Sequence, residues 1–181
     1  MKCANCPFKN CNTRKDCFGI ADKYREIYKT KYFKEMTVAA EVAREAHKKL
    51  NRLQEVILYA KKMGYKKLGI AFCINFKEEA AIVSKALESE GFKVYSVCCK
   101  TGGISKEELN IITKIPGEKE ICCNPNAQAD ILNEKSTELN IIIGLCVGHD
   151  IIFQNHSKAP TTVLVVKDRT NKSNFLIPKT N

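Results

Sequence analysis

The chain has 181 residues, of which 44% are hydrophobic, a length that suits one α/β domain with a buried core and a small appendage. It contains no apolar run near the ~20 residues of a transmembrane helix. Its polar N-terminus is unlike a secretory signal, so we expect a cytoplasmic protein with no membrane partner. The formal net charge is +10, but the lysines are scattered without an arginine-rich run. This pattern favours a solvated basic surface over a nucleic-acid interface, which stays open as an alternative.

The ten cysteines are the most unusual feature of the composition. Cytosolic thiols are kept reduced, so a set of this size indicates metal or thiol chemistry rather than disulfides. The alternative is a disulfide-rich secreted domain. The absence of a signal sequence, the Lys/Glu-rich helical stretch and the buried-strand patterns all argue against it.

The first predicted unit is a cysteine-rich, metal-binding knuckle at residues 1–19. It has no hydrophobic period and cannot fold by burying apolar side chains, so a bound ion would have to hold it together. Its motif is Cys-x2-Cys-x4-Cys-x5-Cys, formed by Cys3, Cys6, Cys11 and Cys17. Four thiolates at these short intervals can bind one ion, and the Cys-x2-Cys unit is common to zinc and iron–sulfur sites. The spacing predicts a metal site without deciding between a [4Fe–4S] cluster and zinc.

A helical segment is predicted over residues 20–64, because apolar side chains recur there every three or four positions and Lys and Glu fill the others. Representative apolar positions are Tyr24, Tyr28, Val42, Leu53 and Ile57. A break near residues 33–37 divides the segment into two helices, and Gly64 ends the second.

Strands and helices alternate through residues 65–181, which we predict to form an α/β domain and one compact unit with the helical segment. Short apolar runs predict strands at residues 68–73, 93–98, 139–145 and 161–167. Helices are predicted at residues 75–90, 105–112 and 124–133, with a helical turn at 150–155. This alternation is typical of a mostly parallel sheet with helices on both faces. The predicted fold is therefore a Rossmann-like three-layer α/β domain.

The remaining cysteines are not spread evenly over this fold. Those at predicted strand ends or before the helix that begins at Asn124-Pro125 are Cys73, Cys98, Cys99, Cys122, Cys123 and Cys146. Ligands of open parallel sheets bind at the carboxyl ends of the strands. We predict a second cofactor site, an iron–sulfur cluster, at Cys99, Cys123 and Cys146, which border turns and glycines. The alternative is that thiols pack in the core, an interpretation that we prefer for Cys73 and Cys98.

His149 and Asp150 follow the last of these cysteines and are the candidates for a catalytic role. His149 would act as a ligand or a proton shuttle, and Asp150 would orient it. The alternative is a structural histidine. The charged residues Lys167, Asp168 and Arg169 are interpreted as a charged exit from the last strand rather than as an anion site.

Four stretches of the sequence resemble one protein family. They are the N-terminal four-cysteine run, CCNPNAQADILN at residues 122–133, GLCVGHD at residues 144–150 and SKAPTTVLVVKDR at residues 157–169. These blocks are similar to those of the metal-binding domain of unknown function 1847, found in archaea and anaerobic bacteria. The resemblance implies metal binding in a cytoplasmic protein, with the four knuckle cysteines as ligands and Cys99, Cys123 and Cys146 as motif cysteines. It implies no particular reaction.

Three functions are compatible with the residues. The first is a redox or sulfur-transfer protein with a cluster or zinc in the knuckle and a second cluster that leaves a position for a small molecule or redox partner. The second is a structural-zinc binding module that engages nucleic acid or a protein partner. The third is a metal carrier or sensor. No Walker loop, dinucleotide fingerprint, zincin or hydrolase motif is present, so these residues leave open whether the protein is an enzyme.

Overall fold

The protein folds around a four-stranded sheet, in a computed structural model that describes residues 2–8 and 10–170. Its strands are β1 (Lys67–Phe72), β2 (Lys93–Cys98), β3 (Leu139–Ile143) and β4 (Thr161–Val165), each within two residues of the boundaries that the sequence predicts. All neighbouring strands are parallel, and they lie in the order β2-β1-β3-β4. The predicted α/β fold with a parallel sheet is confirmed.

Six α-helices lie in the described residues. They are α1 (Ala21–Thr30), α2 (Phe33–Ala46), α3 (Arg52–Met63), α4 (Lys77–Ser89), α5 (Pro125–Glu134) and α6 (Val147–His156). Helix α5 begins as predicted, because the Asn124 side chain accepts a hydrogen bond from the N–H of Ala127 and proline takes the first helical position. The turn predicted at 150–155 is part of a full helix. No helix in this part of the chain is long and apolar enough to span a membrane.

The helical segment contains three helices, and the prediction of two is wrong. The additional boundary lies at Asn51, whose side chain accepts the N–H of Gln54 while the Gln54 side chain accepts the N–H of Asn51. This reciprocal pair of bonds satisfies donors that would otherwise be unpaired at a helix start. Apolar residues keep their spacing of three or four positions across this boundary. The sequence pattern therefore does not reveal the break between α2 and α3.

The helix predicted at residues 105–112 is also wrong, because these residues form turns. Ser105 and Glu108 exchange the two hydrogen bonds that usually begin a helix. Asn110 then adopts a left-handed conformation with φ +53°, and the N–H of Ile111 donates to the carbonyl of Lys106 at 2.9 Å. These features end the helical conformation after a single turn.

Helices cover both faces of the sheet. In β1, Leu68 and Ile70 join the core on the side of α3 and α4, whereas Ala71 joins the core on the side of α5 and α6. Ile141 and Ile142 of β3 likewise belong to opposite cores. Burial on both faces explains why the strands appear in the sequence as continuous apolar runs rather than as alternating patterns.

Residues 2–8 and 10–26 of the N-terminal part contribute nothing to these cores. Every described side chain of residues 2–26 is exposed, and α1 has no buried residue. Helix α2 joins the molecule through Val38, Val42 and Ala46, which pack with Met63 of α3. The folded core of the protein therefore begins at α2.

Candidate functional site

Four cysteines from distant parts of the chain lie at the carboxyl ends of the strands. They are Cys73 after β1, Cys99 after β2, Cys123 before α5 and Cys146 at the N-cap of α6. The N–H of Cys99 donates to the carbonyl of Phe72 at 2.8 Å, and the N–H of Asn124 donates to the carbonyl of Cys99 at 2.8 Å. Cys99 is thereby held between the end of β1 and the start of α5.

The sulfur atoms of Cys73, Cys99 and Cys123 form a row with Cys99 in the middle, which we call the sulfur row. The Cys99 sulfur lies in hydrogen-bonding contact with both neighbouring sulfurs. It also accepts the N–H of Ile74 at 3.4 Å. Cys73 and Cys99 are buried and Cys123 is half-buried. The row therefore runs from the interior towards the surface and ends at Cys123.

The contacts along the sulfur row shift the pKa values of its thiols in opposite directions. The pKa of Cys73 is lowered to about 5, chiefly by the bond with Cys99 and to a smaller extent by the Lys167 ammonium. The pKa of Cys123 is likewise lowered to about 5, chiefly by the bond with Cys99 and to a smaller extent by the charge of Lys100. The same two bonds, together with burial, raise the pKa of Cys99, because its proton stabilises both neighbours. The two outer thiols are therefore more acidic than an ordinary cysteine, and the central one is less acidic.

Lys167 connects the sulfur row to the fourth cysteine. Its Nζ lies 2.8 Å from the sulfur of Cys73 and 3.9 Å from the sulfur of Cys146. Arg169 adds a second cation, since a guanidinium nitrogen lies 3.3 Å from the sulfur of Cys146. We interpreted these two basic residues from the sequence as a charged strand exit. Both instead contact sulfur, Lys167 that of Cys73 and Arg169 that of Cys146.

These cysteines lie where the connections of the sheet change direction. Strand β1 continues through α4 to β2 on one side, whereas β3 and β4 lie on the other side of β1. The loops after β1 and β3 therefore diverge, and sheets of this type bind ligands in the crevice between such loops. Lys167 spans this crevice, because it contacts Cys73 after β1 and Cys146 after β3.

Gly144 allows the two loops to approach each other. It has a left-handed φ of +62°, and a Cβ atom at this position would lie 2.2 Å from Cδ2 of Phe76. The Phe76 ring in turn lies 5.6 Å from the ammonium of Lys167, a cation–π contact that helps to place the lysine. Glycine is required here both by the conformation and by the lack of space.

Gln128 of α5 joins the strand ends that lead into the sulfur row. Its side chain is fully buried, and Nε2 donates to the carbonyls of Val97 at 2.7 Å and Phe72 at 3.2 Å. Its Oε1 is buried without a hydrogen-bond partner in the described part of the chain. The sequence gives no signal for this role, because a glutamine on an amphipathic helix is usually exposed.

His149 and Asp150, the predicted catalytic candidates, lie in the first turn of α6. After Cys99 and Lys100, the charge of His149 also contributes to the lowered pKa of Cys123. Burial raises the pKa of the Asp150 carboxyl to about 6, and its Oδ1 is buried with no hydrogen-bond partner among residues 2–8 and 10–170. His149 thus influences Cys123, the half-buried end of the sulfur row, whereas Asp150 forms no hydrogen bond or ion pair with the row among the described residues.

The two other cysteines of the α/β domain differ from those of the row. The half-buried side chain of Cys98 packs against the core on the side of α5 and α6, which agrees with our core interpretation. The thiol of Cys122 donates to the carbonyl of Cys123 at 3.3 Å. Cys73, which we also interpreted as a core residue, is buried but has a second role in the sulfur row.

The knuckle cysteines are exposed, and all ten cysteines are free thiols. Cys3 and Cys11 lie in the short 3-10 turns Cys3–Asn5 and Asn10–Thr13, and Cys6 and Cys17 lie outside them. Among the described residues, no group of three or more Cys, His, Asp or Glu side chains surrounds a point that could hold an ion. The knuckle thiols are near one another in sequence, and the sheet-edge thiols form a row rather than a shell.

The fold and the site define an α/β protein with a parallel sheet and a cysteine-rich carboxyl edge. The chain belongs to the family described as "Protein of unknown function (DUF1847)", which matches residues 9–164 and confirms the resemblance seen in the sequence. It is 51% identical over 176 residues to the uncharacterized protein MJ0455 of Methanocaldococcus jannaschii, a match that covers 96% of this chain and 91% of that protein. The family match includes the whole sulfur row and Cys146.

Proposed function

We propose that this protein binds a thiophilic metal centre through the four cysteines at the edge of its sheet. The observation that supports this function is the convergence of Cys73, Cys99, Cys123 and Cys146, which are distant in sequence, on the crevice where parallel sheets bind ligands. Gathering thiols next to cations stabilises thiolates, the form of cysteine that binds metal.

The donor set fits a soft metal by its chemistry. Thiolate ligands favour iron–sulfur clusters, zinc and copper(I) over hard cations. Lys100, Lys167 and Arg169 lie beside the sulfurs and offset the negative charge of a thiolate site. Because the thiols stand in a row, binding requires their side chains to turn about their one torsion towards a common centre.

We favour an iron–sulfur cluster over zinc as the bound group. The predicted anaerobic setting of the family is compatible with an oxygen-sensitive cluster. Such a cluster supplies electron transfer or a position for sulfur transfer when it is bound. The knuckle would hold a second metal through Cys3, Cys6, Cys11 and Cys17, a proposal that is based on their spacing.

Metal analysis of matched cysteine variants tests this proposal. The protein and its variants are purified without oxygen, and iron, zinc and acid-labile sulfide are measured per chain. We expect Cys73→Ser and Cys123→Ser to lose about four irons and four sulfides, the content of one [4Fe–4S] cluster. Cys98→Ser and Cys122→Ser are the controls, because each replaces a neighbouring cysteine that lies outside the row, and both should keep the wild-type content.

Equal metal content in all four variants would exclude the sheet-edge site. A colourless protein with a single zinc that is insensitive to these substitutions would favour the alternative function, a structural-zinc module that engages nucleic acid or a protein partner. Affinity for nucleic acid would then fall steeply with salt.

A further inference from the structure

Helix α1 and the outward side of α2 form a groove that takes no part in the cores. Helix α1 has no buried residue, and the buried residues of α2 are Val38, Val42 and Ala46. Phe33 and Met36 lie on the opposite side of α2 and have exposed fractions of 62% and 49%. We call this surface the aromatic groove. Its lining includes Arg25, Tyr28 and Lys29 from α1 and Phe33, Met36 and Arg44 from α2.

Exposed aromatic rings extend along α1 on both sides of Tyr28. Tyr24 and Tyr28 lie one helical turn apart on the same side of the helix, and their ring centroids are 6.0 Å apart. Tyr32, two residues after the end of α1, is exposed to the same extent. Separate rings of this kind offer successive flat surfaces on which bases can stack. A protein partner instead needs one contiguous apolar patch.

Cations stand beside these rings. The ammonium of Lys23 lies 5.7 Å from the ring centroid of Tyr24, and that of Lys31 lies 5.1 Å from the ring centroid of Tyr32. A ligand that stacks on these tyrosines therefore meets positive charge next to each ring. Aromatic faces alternating with cations are the pattern by which proteins bind the bases and the phosphates of a single strand.

The groove carries an excess of positive charge. Three cations and one acid are among the described residues that line it. The acid, Glu41, is held by Lys62, whose Nζ lies 2.8 Å from its carboxylate and 2.9 Å from that of Glu45. Arg25 forms an ion pair with Asp22, but both side chains are exposed, and such pairs contribute little. The groove can therefore receive an anionic partner.

We propose that the aromatic groove binds single-stranded nucleic acid. Bases stack on Tyr28 and Phe33, and the phosphates between them contact Lys29 and Arg44. Binding of this kind tolerates any sequence, because every base has a π face. A second copy of the chain is disfavoured as the partner, because each copy carries a formal net charge of +10. Although the lysines are scattered along the sequence, folding gathers cations and rings on one surface.

This function goes beyond the metal centre at the sheet edge and does not depend on it. The groove is formed by α1 and α2, whereas the sulfur row follows β1 and β2 and precedes α5. Cys123→Ser should therefore bind nucleic acid as the wild type does, even where it loses metal. Metal content and nucleic-acid affinity are measured separately, so failure of one proposal is distinguishable from failure of the other.

Fluorescence anisotropy with short labelled oligonucleotides provides the test. Full-length protein is titrated into oligouridine, oligothymidine and a mixed-sequence DNA duplex of equal length. We expect both single strands to bind and the duplex to bind more weakly, because its bases are already stacked. With roughly three phosphate contacts, the logarithm of the affinity should fall against the logarithm of the salt concentration with a slope of about −2. Tighter binding of one single strand would identify the natural ligand as RNA or as DNA.

Variants of the groove separate stacking from charge. Tyr28→Ala should weaken binding roughly tenfold, whereas Tyr28→Phe keeps the ring and should keep the affinity. Lys29→Gln should reduce the salt slope by about 0.7, the contribution of one phosphate contact. Ile82→Ala and Lys85→Gln are the matched controls, because they remove an exposed apolar side chain and an exposed lysine from α4. Circular dichroism shows whether each variant keeps its helices.

The proposal is overturned if neither single strand binds at about 50 mM salt, or if the duplex binds as tightly as the single strands. Equal affinities of the groove variants and their controls would overturn it too. A polyglutamate peptide that displaces the strands and binds more tightly than either would also overturn the proposal, because the groove would then recognise an acidic protein segment.

Discussion

The Gln128 amide ties together the ends of β1 and β2, since its Nε2 donates to the carbonyls of Val97 and Phe72. Those carbonyls belong to the residues from which the chain turns towards Cys73 and Cys99. A neutral side chain that makes no contact with solvent therefore controls where two sulfurs of the row lie. The positions of the sulfurs thus depend on residues around the cysteines as well as on the cysteines themselves.

Gln128→Leu should destabilise the protein by roughly 1–3 kcal/mol, because a buried carbonyl that loses its donor costs free energy of this order. Phe72 keeps a bond from the N–H of Cys99, so most of the loss arises at Val97. The measurement is urea unfolding followed by circular dichroism. Gln154→Leu, the same change on an exposed part of α6, is the control and should leave the unfolding midpoint unchanged. Equal midpoints for the two variants would show that the buried amide has no such role.

Gly144→Ala should destabilise the protein more than Gly103→Ala. Both glycines have a left-handed φ, +62° and +64°, so both substitutions carry the backbone penalty of about 1–2 kcal/mol. Only the Cβ at position 144 would collide with Phe76, since nothing lies within 4 Å of the position at Gly103. Overpacking adds about 1–3 kcal/mol. Thermal or urea unfolding measures the difference, and equal losses would contradict the close approach of the two loops.

Sequence patterns predicted Cys99 and Cys123 as site candidates but interpreted Cys73 as a core residue. A buried thiol at the end of an apolar strand has the same pattern whether or not another sulfur lies beside it. Its role depends on Cys99 and Lys167, which are distant in the chain. Turns and glycines in the sequence marked Cys99 and Cys123 as candidates, whereas no local pattern marks a residue whose contacts come from elsewhere in the fold.

The pairing of β1 with β3 is reinforced at the start of both strands by Glu138. Its carboxylate accepts the N–H groups of Lys66 at 2.6 Å and Lys67 at 2.9 Å, and its own N–H donates to the carbonyl of Lys67. These bonds hold the pKa of the Glu138 carboxyl below its ordinary value. The two central strands, which carry Cys73 and Cys146 at their other ends, thus share an anchor.

Glu138→Gln should lower stability at neutral pH but not in acid. A lowered pKa in the folded state stabilises the protein above the ordinary pKa of 4.5, and that contribution is lost as the pH falls through the folded value. The difference in unfolding free energy between wild type and variant should therefore be constant from about pH 7 to pH 5. Below about pH 5 this difference should shrink towards zero. Glu134→Gln, at the exposed end of α5, is the control. A gap that persists unchanged in strong acid would contradict this role.

Patterns predicted the four strands within two residues because burial on both faces leaves continuous apolar runs. They failed at residues 105–112, where Ser105 and Glu108 form the bonds of a helix start and Asn110 turns the chain away after one turn. A helix start is local and visible in sequence. Its extension depends on a packing partner for the apolar side, and the side chain of Ile112 is exposed rather than packed against the described part of the chain.

At the scale of the whole molecule, the chain divides into an exposed N-terminal knuckle and a core that starts at α2. Residues 2–26 bury no described side chain, whereas the sheet and its helices enclose two apolar cores. The two proposed metal sites lie on different sides of this division. Neither site should need the other in order to form.

Metal content of the protein that lacks residues 2–20 is the most direct test of the central claim, that the sheet edge binds metal by itself. Because the deleted residues bury no described side chain, the shortened protein should keep the urea unfolding midpoint of the full chain. It should lose only the metal of the knuckle and retain about four irons with matching sulfide, or one zinc, that Cys123→Ser removes. A folded, shortened protein without bound metal would contradict the account.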